Sequence, residues 1–272
     1  MIKADYHIHT CFSTDAPRES TLESMFQNAI RCGLNEIAIT DHLDFKADGG
    51  LWTPMIDYTE YGKAIQQMNE KYSGSMRAVM GIEMGLAPHV TGKFSELAEK
   101  HPFEFIIGSS HAINKIDMYV FRDTAFEGMS KDQAYELYYS EMLQLIEDCP
   151  YISVYGHLDF IIRYAPYENK GPIYNEYKPF IDQVLKKLVE NGKGIELNTS
   201  GFNYGLNQPH PSMDIVKAYK KLGGQIITIG SDAHKAEKIA AHFDKTEDFL
   251  HEAGFSAYTV FRDRKPLWVD LK

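Results

Sequence analysis

Short extended runs alternate with helical segments from one end of the chain to the other, and this alternation limits the fold more than any other feature of the sequence. Strands are expected at 2–9, 36–40, 77–83, 105–110, 151–155, 194–198 and 225–229. Helices are expected at 22–32, 58–72, 92–100, 131–149, 177–191 and 212–222, with part of 235–254 also helical. The first helix carries its own start and stop signals: Ser20-Thr21 as a cap, Glu23 in the first turn and Gly33 after the end. Repeated β–α units join parallel strands by right-handed crossovers. Seven or eight such units can close into a barrel or remain an open, doubly wound sheet. The tail at 258–270 is expected to add extended structure.

The polar residues favour the barrel. Strand one supplies His7 and His9, with Asp5 expected on the same face because alternate strand residues share one. Strand two runs into Asp41-His42, strand three ends in Glu83, strand four in His111 and strand five in His157. Strand six carries Glu196 and Asn198, and strand seven leads into Asp232 and His234. Six of the 11 histidines, with three acids, thus fall at strand ends. In a β/α barrel those ends converge on one mouth, where active sites form; an open sheet would spread them along an edge. His89, His101, His210, His242 and His251 lack this placement.

Imidazole and carboxylate are common ligands for divalent metals. Nine candidates (His7, His9, Asp15, His42, Glu83, His111, His157, Asp232 and His234) are too many for one tetrahedral ion with about four ligands. Two or three ions sharing a carboxylate would use them better, and Glu83 is the natural bridge. Asp15 lies on a loop that can fold back over the mouth, while Asp41 either ligates or orients His42. Three divalent ions bring about +6 against about −3 from Asp15, Glu83 and Asp232, a balance suited to a phosphoryl dianion. A metal-bridging hydroxide, its parent water acidified to a pKa of about 7, would be the nucleophile. Asp232 and His234 are assigned to catalysis as well as to metal. Arg163, six residues past His157, can hold phosphate oxygens or form a surface salt bridge. Glu196 and Asn198 are expected to face the substrate; Asp159 and Glu196 could instead support ligands.

With 272 residues and 44% hydrophobic residues, the chain is long enough for one barrel domain spanning 1–272. A formal net charge of −10 argues against long nucleic acid as a partner. No run approaches the length of a membrane span, and Cys11, Cys32 and Cys149 suggest no disulfide framework. A cytoplasmic protein with a small phosphorylated substrate is expected.

Together, Asp5-Tyr6-His7-Ile8-His9-Thr10 with Asp15, Thr40-Asp41-His42, Glu83, Ser110-His111, Gly156-His157 and Ser231-Asp232-Ala233-His234 resemble the PHP (polymerase and histidinol phosphatase) superfamily. Gly156-His157-Leu158-Asp159 with Arg163-Tyr164, and Glu196-Leu197-Asn198-Thr199-Ser200-Gly201, are most similar to its histidinol-phosphatases. The resemblance implies a distorted (β/α)7 TIM-like barrel with three divalent ions, zinc, iron or manganese. It also implies the ligand sets: His7, His9, Glu83 and Asp232; Glu83, His111 and His157; Asp15, His42 and His234. The implied reaction is hydrolysis of L-histidinol phosphate to L-histidinol and phosphate. The alternative is a phosphoesterase of the same family acting on nucleotides, oligonucleotide ends or phosphotyrosine. In two places the chain departs from family habit: Asp15 stands where several members have His, and Asn203 where a basic residue often follows Ser-Gly.

Overall fold

The computed structural model describes residues 2–52, 55–168 and 173–272. Seven parallel strands form one curved sheet in chain order: β1 (Ala4–Ile8), β2 (Glu36–Ile39), β3 (Arg77–Gly85), β4 (Phe105–Ser109), β5 (Val154–Tyr155), β6 (Gly194–Asn198) and β7 (Ile227–Gly230). The sheet nearly closes on itself. Just past β7, Ala233 makes a parallel bridge to Ile8, its carbonyl accepting from His9 N at 2.9 Å and its N–H reaching His7 O at 3.3 Å. The barrel expected from the strand ends is therefore present, with strand termini shifted by a residue or two and the fifth strand cut to two residues.

The helices follow from local chemistry and lie outside the barrel. In α1 (Leu22–Arg31), the Thr21 side chain accepts from Ser24 N, and Gly33 takes the left-handed turn after the end at φ +75°. In α2 (Tyr58–Lys71) Asp57 caps two amides, and α3 (Thr91–Lys100) follows β3. In α4 (Lys131–Asp148), Ser130 and Gln133 form a reciprocal capping box. A four-residue helix, α5 (Ile161–Tyr164), follows β5 and was not expected. The next, α6 (Ile173–Glu190), starts one turn earlier than the expected 177, because the chain kinks at Tyr177 and resumes. After α7 (Met213–Lys221), residues 235–254 hold two short 3₁₀ turns and only α8 (Thr246–Glu252) as true helix. No helix among the described residues is long and apolar enough to cross a membrane.

The tail is an antiparallel hairpin, β8 (Ala257–Arg262) with β9 (Lys265–Asp270), and it floors the barrel. Phe261 packs 5.0 Å from Phe105, which in turn stands edge-on to Tyr6 at 4.9 Å. Thr259 Oγ1 accepts from Ile227 N at 3.2 Å, and Arg262 pairs with Glu36. Phe105, Ile227 and Glu36 each open a strand, so the floor is the N-terminal end. The Tyr6 contact also corrects an expectation. Tyr6 meets β4, which is not a neighbour of β1, so Tyr6 points inward. The register of β1 slips between Asp5 and Ile8, a bulge that breaks strict alternation. Asp5 turns away from the mouth and accepts from Ser231 N (2.9 Å), Ser231 Oγ (2.5 Å) and Ala240 N (3.0 Å). His7 and His9 still share the mouth, with ring centroids 5.0 Å apart.

Truncating the floor should be costly, since Phe261 is almost fully buried. Phe261→Ala is expected to lose about 3–5 kcal/mol of unfolding free energy in a denaturant titration. A loss under about 1 kcal/mol would mean that the hairpin merely rests against the barrel.

Candidate metal centre

Glu83 lies near the end of β3, in register with Ile107 of β4 on one side and His42 on the other. Its oxygens divide their neighbours. Oε2 faces His42 Nδ1 at 2.8 Å, His7 Nε2 at 3.1 Å and His9 Nε2 at 3.5 Å. Oε1 faces His157 Nε2 at 2.9 Å and His111 Nε2 at 3.2 Å, and accepts from Ser109 Oγ at 2.7 Å. A second carboxylate, Asp232, places Oδ1 3.4 Å from His9, 3.7 Å from His234 and 3.8 Å from His7. The third, Asp15, joins His234 Nε2 at 3.0 Å to His42 Nε2 at 3.4 Å. The nine side chains expected at the mouth are thus gathered into one cluster.

The supports around it explain the neighbouring sequence. His7 Nδ1 lies 2.6 Å from Glu196 Oε1, while Glu196 Oε2 accepts from His157 N at 2.9 Å and Asn198 Nδ2 at 3.1 Å. Both carboxylate oxygens are engaged by the protein. Asn198 is likewise occupied, its oxygen accepting from Ser200 N and Ser200 Oγ. Glu196 and Asn198, expected to face substrate, instead lie buried beneath the cluster and set the His7 ring. Gly230 leaves them room: a Cβ there would meet Glu196 Oε1 at 2.2 Å and His7 Cβ at 2.4 Å. Asp41 accepts four bonds from Thr10 and Ser13, at 2.7–3.1 Å, and reaches His42 only through Ser13 Oγ, which accepts from His42 N. It shapes the loop after β1.

Sequence reasoning missed Asp44, which lies 2.8 Å from His111 Nδ1 and 3.7 Å from His42 Nδ1. Its signal was present: Asp44 follows His42 by two residues, beyond a short strand (His42–Leu43) that pairs with β3. Gly85 makes space for it, since a Cβ there would overlap Asp44 Oδ1 at 1.7 Å. The side chain of Arg163 is almost wholly buried beside Asp232, with Nη2 3.5 Å from Asp232 Oδ2 and its guanidinium over the rings of Tyr204 (4.2 Å) and Phe160 (4.8 Å). It is not a surface ion pair. Of the five histidines expected away from the mouth, His210 contacts a mouth residue, accepting at Nε2 from Arg163 Nε at 2.9 Å.

The electrostatics are those of a cation site. Burial alone would raise the Glu83 carboxyl, yet His7, His42 and His111 outweigh it and hold it well below the usual range. Asp232 is depressed in the same way, burial being overcome by His7, His9, His234 and Arg163. Burial lowers the His7 imidazole, but Glu196, Glu83 and Asp232 carry it well above its ordinary value. His111, likewise opposed by burial, is pushed up to about 10 by Asp44 and Glu83. Burial and the neighbouring His42 and His234 instead keep His9 low. Several converging atoms, His7 Nε2, His9 Nε2, His42 Nδ1 and Glu83 Oε2, are buried without a hydrogen bond of acceptable geometry. Close nitrogen–oxygen approach without hydrogen bonding is what ligands sharing an ion display. Among the described residues, four triads, including His7-His9-Asp232 and His42-Glu83-His111, present donor atoms within 4.8 Å of one another. The residues fit divalent metal.

Comparison with known proteins agrees with this geometry. The PHP domain profile matches residues 5–200. A histidinol-phosphatase of Lactococcus lactis subsp. lactis (strain IL1403) is 30% identical over 268 residues, covering 97% of this chain and 96% of that protein. A protein of Clostridium acetobutylicum named "Probable histidinol-phosphatase" is 32% identical over 241 residues, covering 88% and 89%. The crystal structure of the histidinol phosphate phosphatase from Lactococcus lactis, complexed with zinc, L-histidinol and phosphate, superposes with a TM-score of 0.85 at 28% identity, covering 97% of this chain and 98% of that one. The chain belongs to the PHP domain family, and its place there is among the histidinol-phosphatases.

The raised imidazoles have a measurable consequence. His7 and His111 hold protons at neutral pH, and a proton must leave before the nitrogen can bind metal. Zinc added to metal-free protein at pH 7 should therefore release protons, and affinity should rise with pH. Calorimetry in two buffers of different ionisation enthalpy measures this; a heat independent of buffer would contradict it.

Proposed function

We propose that this chain is a metal-dependent phosphomonoesterase that hydrolyses L-histidinol phosphate to L-histidinol and phosphate, as in histidine biosynthesis. The observation that carries the reading is the buried Glu83 carboxylate, ringed by five imidazoles at the mouth of a barrel. The same fold holds zinc, L-histidinol and phosphate in the Lactococcus lactis relative. His7, His9, Glu83 and Asp232 would hold one ion, Glu83, His111 and His157 a second, and Asp15, His42 and His234 a third. Three divalent ions, with zinc the first candidate, would supply Lewis acidity toward the phosphoryl oxygens and a water acidified to neutral pH.

The chain's own residues do the rest. Glu83 fixes the spacing of the imidazoles, because each of its oxygens faces its own group of rings. Glu196 and Asp44 hold the His7 and His111 rings by their far nitrogens, a carboxylate–histidine arrangement that orients a ligand and raises its basicity. Arg163 offers planar N–H donors beside Asp232 and would bind the substrate phosphate there. Asp232, 3.5 Å from Arg163, and His234, 3.0 Å from Asp15, lie on the loop after β7 and would handle the leaving-group proton.

Phosphate release should be fastest from L-histidinol phosphate when it is compared with nucleotides, phosphotyrosine and a generic aryl phosphate, and excess chelator should abolish it. Full turnover with no bound metal, or a clear preference for nucleotides, would reject the proposal. Arg163→Ala should lower kcat/KM by about 100-fold, the scale for losing one charged donor at a reacting oxyanion.

A further inference from the structure

We propose that Asp159 and His210 are positioning residues that hold the Arg163 guanidinium in one orientation beside Asp232. The inference rests on the reading of Arg163 as the phosphate-binding side chain. Arg163 comes from α5, a helix too short to fix a long side chain by itself. Its plane is set by Phe160 and Tyr204, but stacking leaves rotation within the plane undetermined. His210 removes that freedom. A guanidinium only donates, so the 2.9 Å contact from Arg163 Nε requires a lone pair on His210 Nε2. The ring proton must then sit on Nδ1, where it is donated to Asp159 Oδ1.

Each member of the chain is anchored in turn. The second oxygen of Asp159 accepts from Ser212 N at 3.0 Å. The backbone of His210 pairs in both directions with Asn198 at the end of β6, at 2.7 and 2.8 Å. Asp159 and His210 are both 0% exposed. With Nε fixed, Nη2 is turned to Ser200 Oγ and Asp232. Asp159 thus selects the tautomer, the tautomer selects the direction of Nε, and Nε sets where the fork points. Asp159→Asn probes this sharply. If the amide oxygen keeps Ser212 N, its NH2 faces His210 Nδ1 and forces the proton to Nε2, donor against donor with Arg163. If the amide flips, Ser212 N loses its acceptor.

The test is a double-mutant cycle on the zinc-loaded enzyme, using His210→Leu, Arg163→Ala and their combination, with Asp159→Asn and His210→Gln alongside. Kinetics with L-histidinol phosphate, inhibition by inorganic phosphate, zinc content and thermal midpoint are measured for each. His210→Leu and Asp159→Asn should each lower kcat/KM about 10- to 100-fold and weaken phosphate inhibition, with zinc content unchanged. His210→Gln, whose side-chain oxygen can accept from Arg163 Nε, should recover most of the loss. In the Arg163→Ala background, His210→Leu should add less than about twofold. The same loss in both backgrounds, or a fall in thermal midpoint with unchanged kinetics, would overturn the positioning role. A silent Arg163→Ala would instead sink the phosphate-binding reading, and the positioning role with it. If His210→Leu does not fold, the nearly isosteric Asp159→Asn carries the same comparison.

Discussion

One buried carboxylate dictates the upper half of the molecule. Glu83 is fully enclosed and held ionised, and an unpaired buried charge would cost several kcal/mol. It is tolerated because imidazoles arrive from β1, from the segment after β2, and from the ends of β4 and β5. That convergence explains otherwise unrelated sequence choices. Gly230 and Gly85 sit where any side chain would strike the carboxylates that orient His7 and His111. Ser109 supplies a hydroxyl donor on the crowded oxygen. Asp232 takes a left-handed backbone at φ 56°, a conformation aspartate tolerates better than most residues.

The lower half obeys the opposite rule. There the interior is filled by Tyr6, Phe105 and Phe261, and polar groups such as Thr259 and Glu36 are hydrogen-bonded or paired. The bulge in β1 lets one strand serve both halves. The extra residue allows Tyr6 to reach the aromatic floor while His7, the next residue, reaches the metal cluster. A regular strand would have sent these neighbours to opposite faces.

The barrel and the membership of the cluster were legible in the sequence because each signal was local: a strand, and then a ligand-type residue at its end. Geometry between strands was not. The bulge left no mark in composition, so Asp5 was grouped with His7 and His9 although it binds Ser231. Glu196 and Asn198 sit at the right register to face inward, and do, but they stop beneath the cluster because their polar atoms find protein partners first. His210 looked detached, being far along the chain from any strand end; a returning loop lays it against Asn198. Asp44 hid behind His42, its role set by a two-residue strand that no periodicity reveals.

The seam between Ile8 and Ala233 joins the first and last strands of the barrel through a few backbone contacts. The same peptide units carry His7, His9, Asp232 and His234, so the circle of the sheet and the circle of the cluster close at one place. During synthesis, a chain ending before Ile227 would already contain His7, His9, Asp15, His42, Glu83, His111 and His157. It would still lack the residues that shield Asp5, complete the ring and face His9 from the far side. The cluster is therefore finished only when the two ends of the barrel meet.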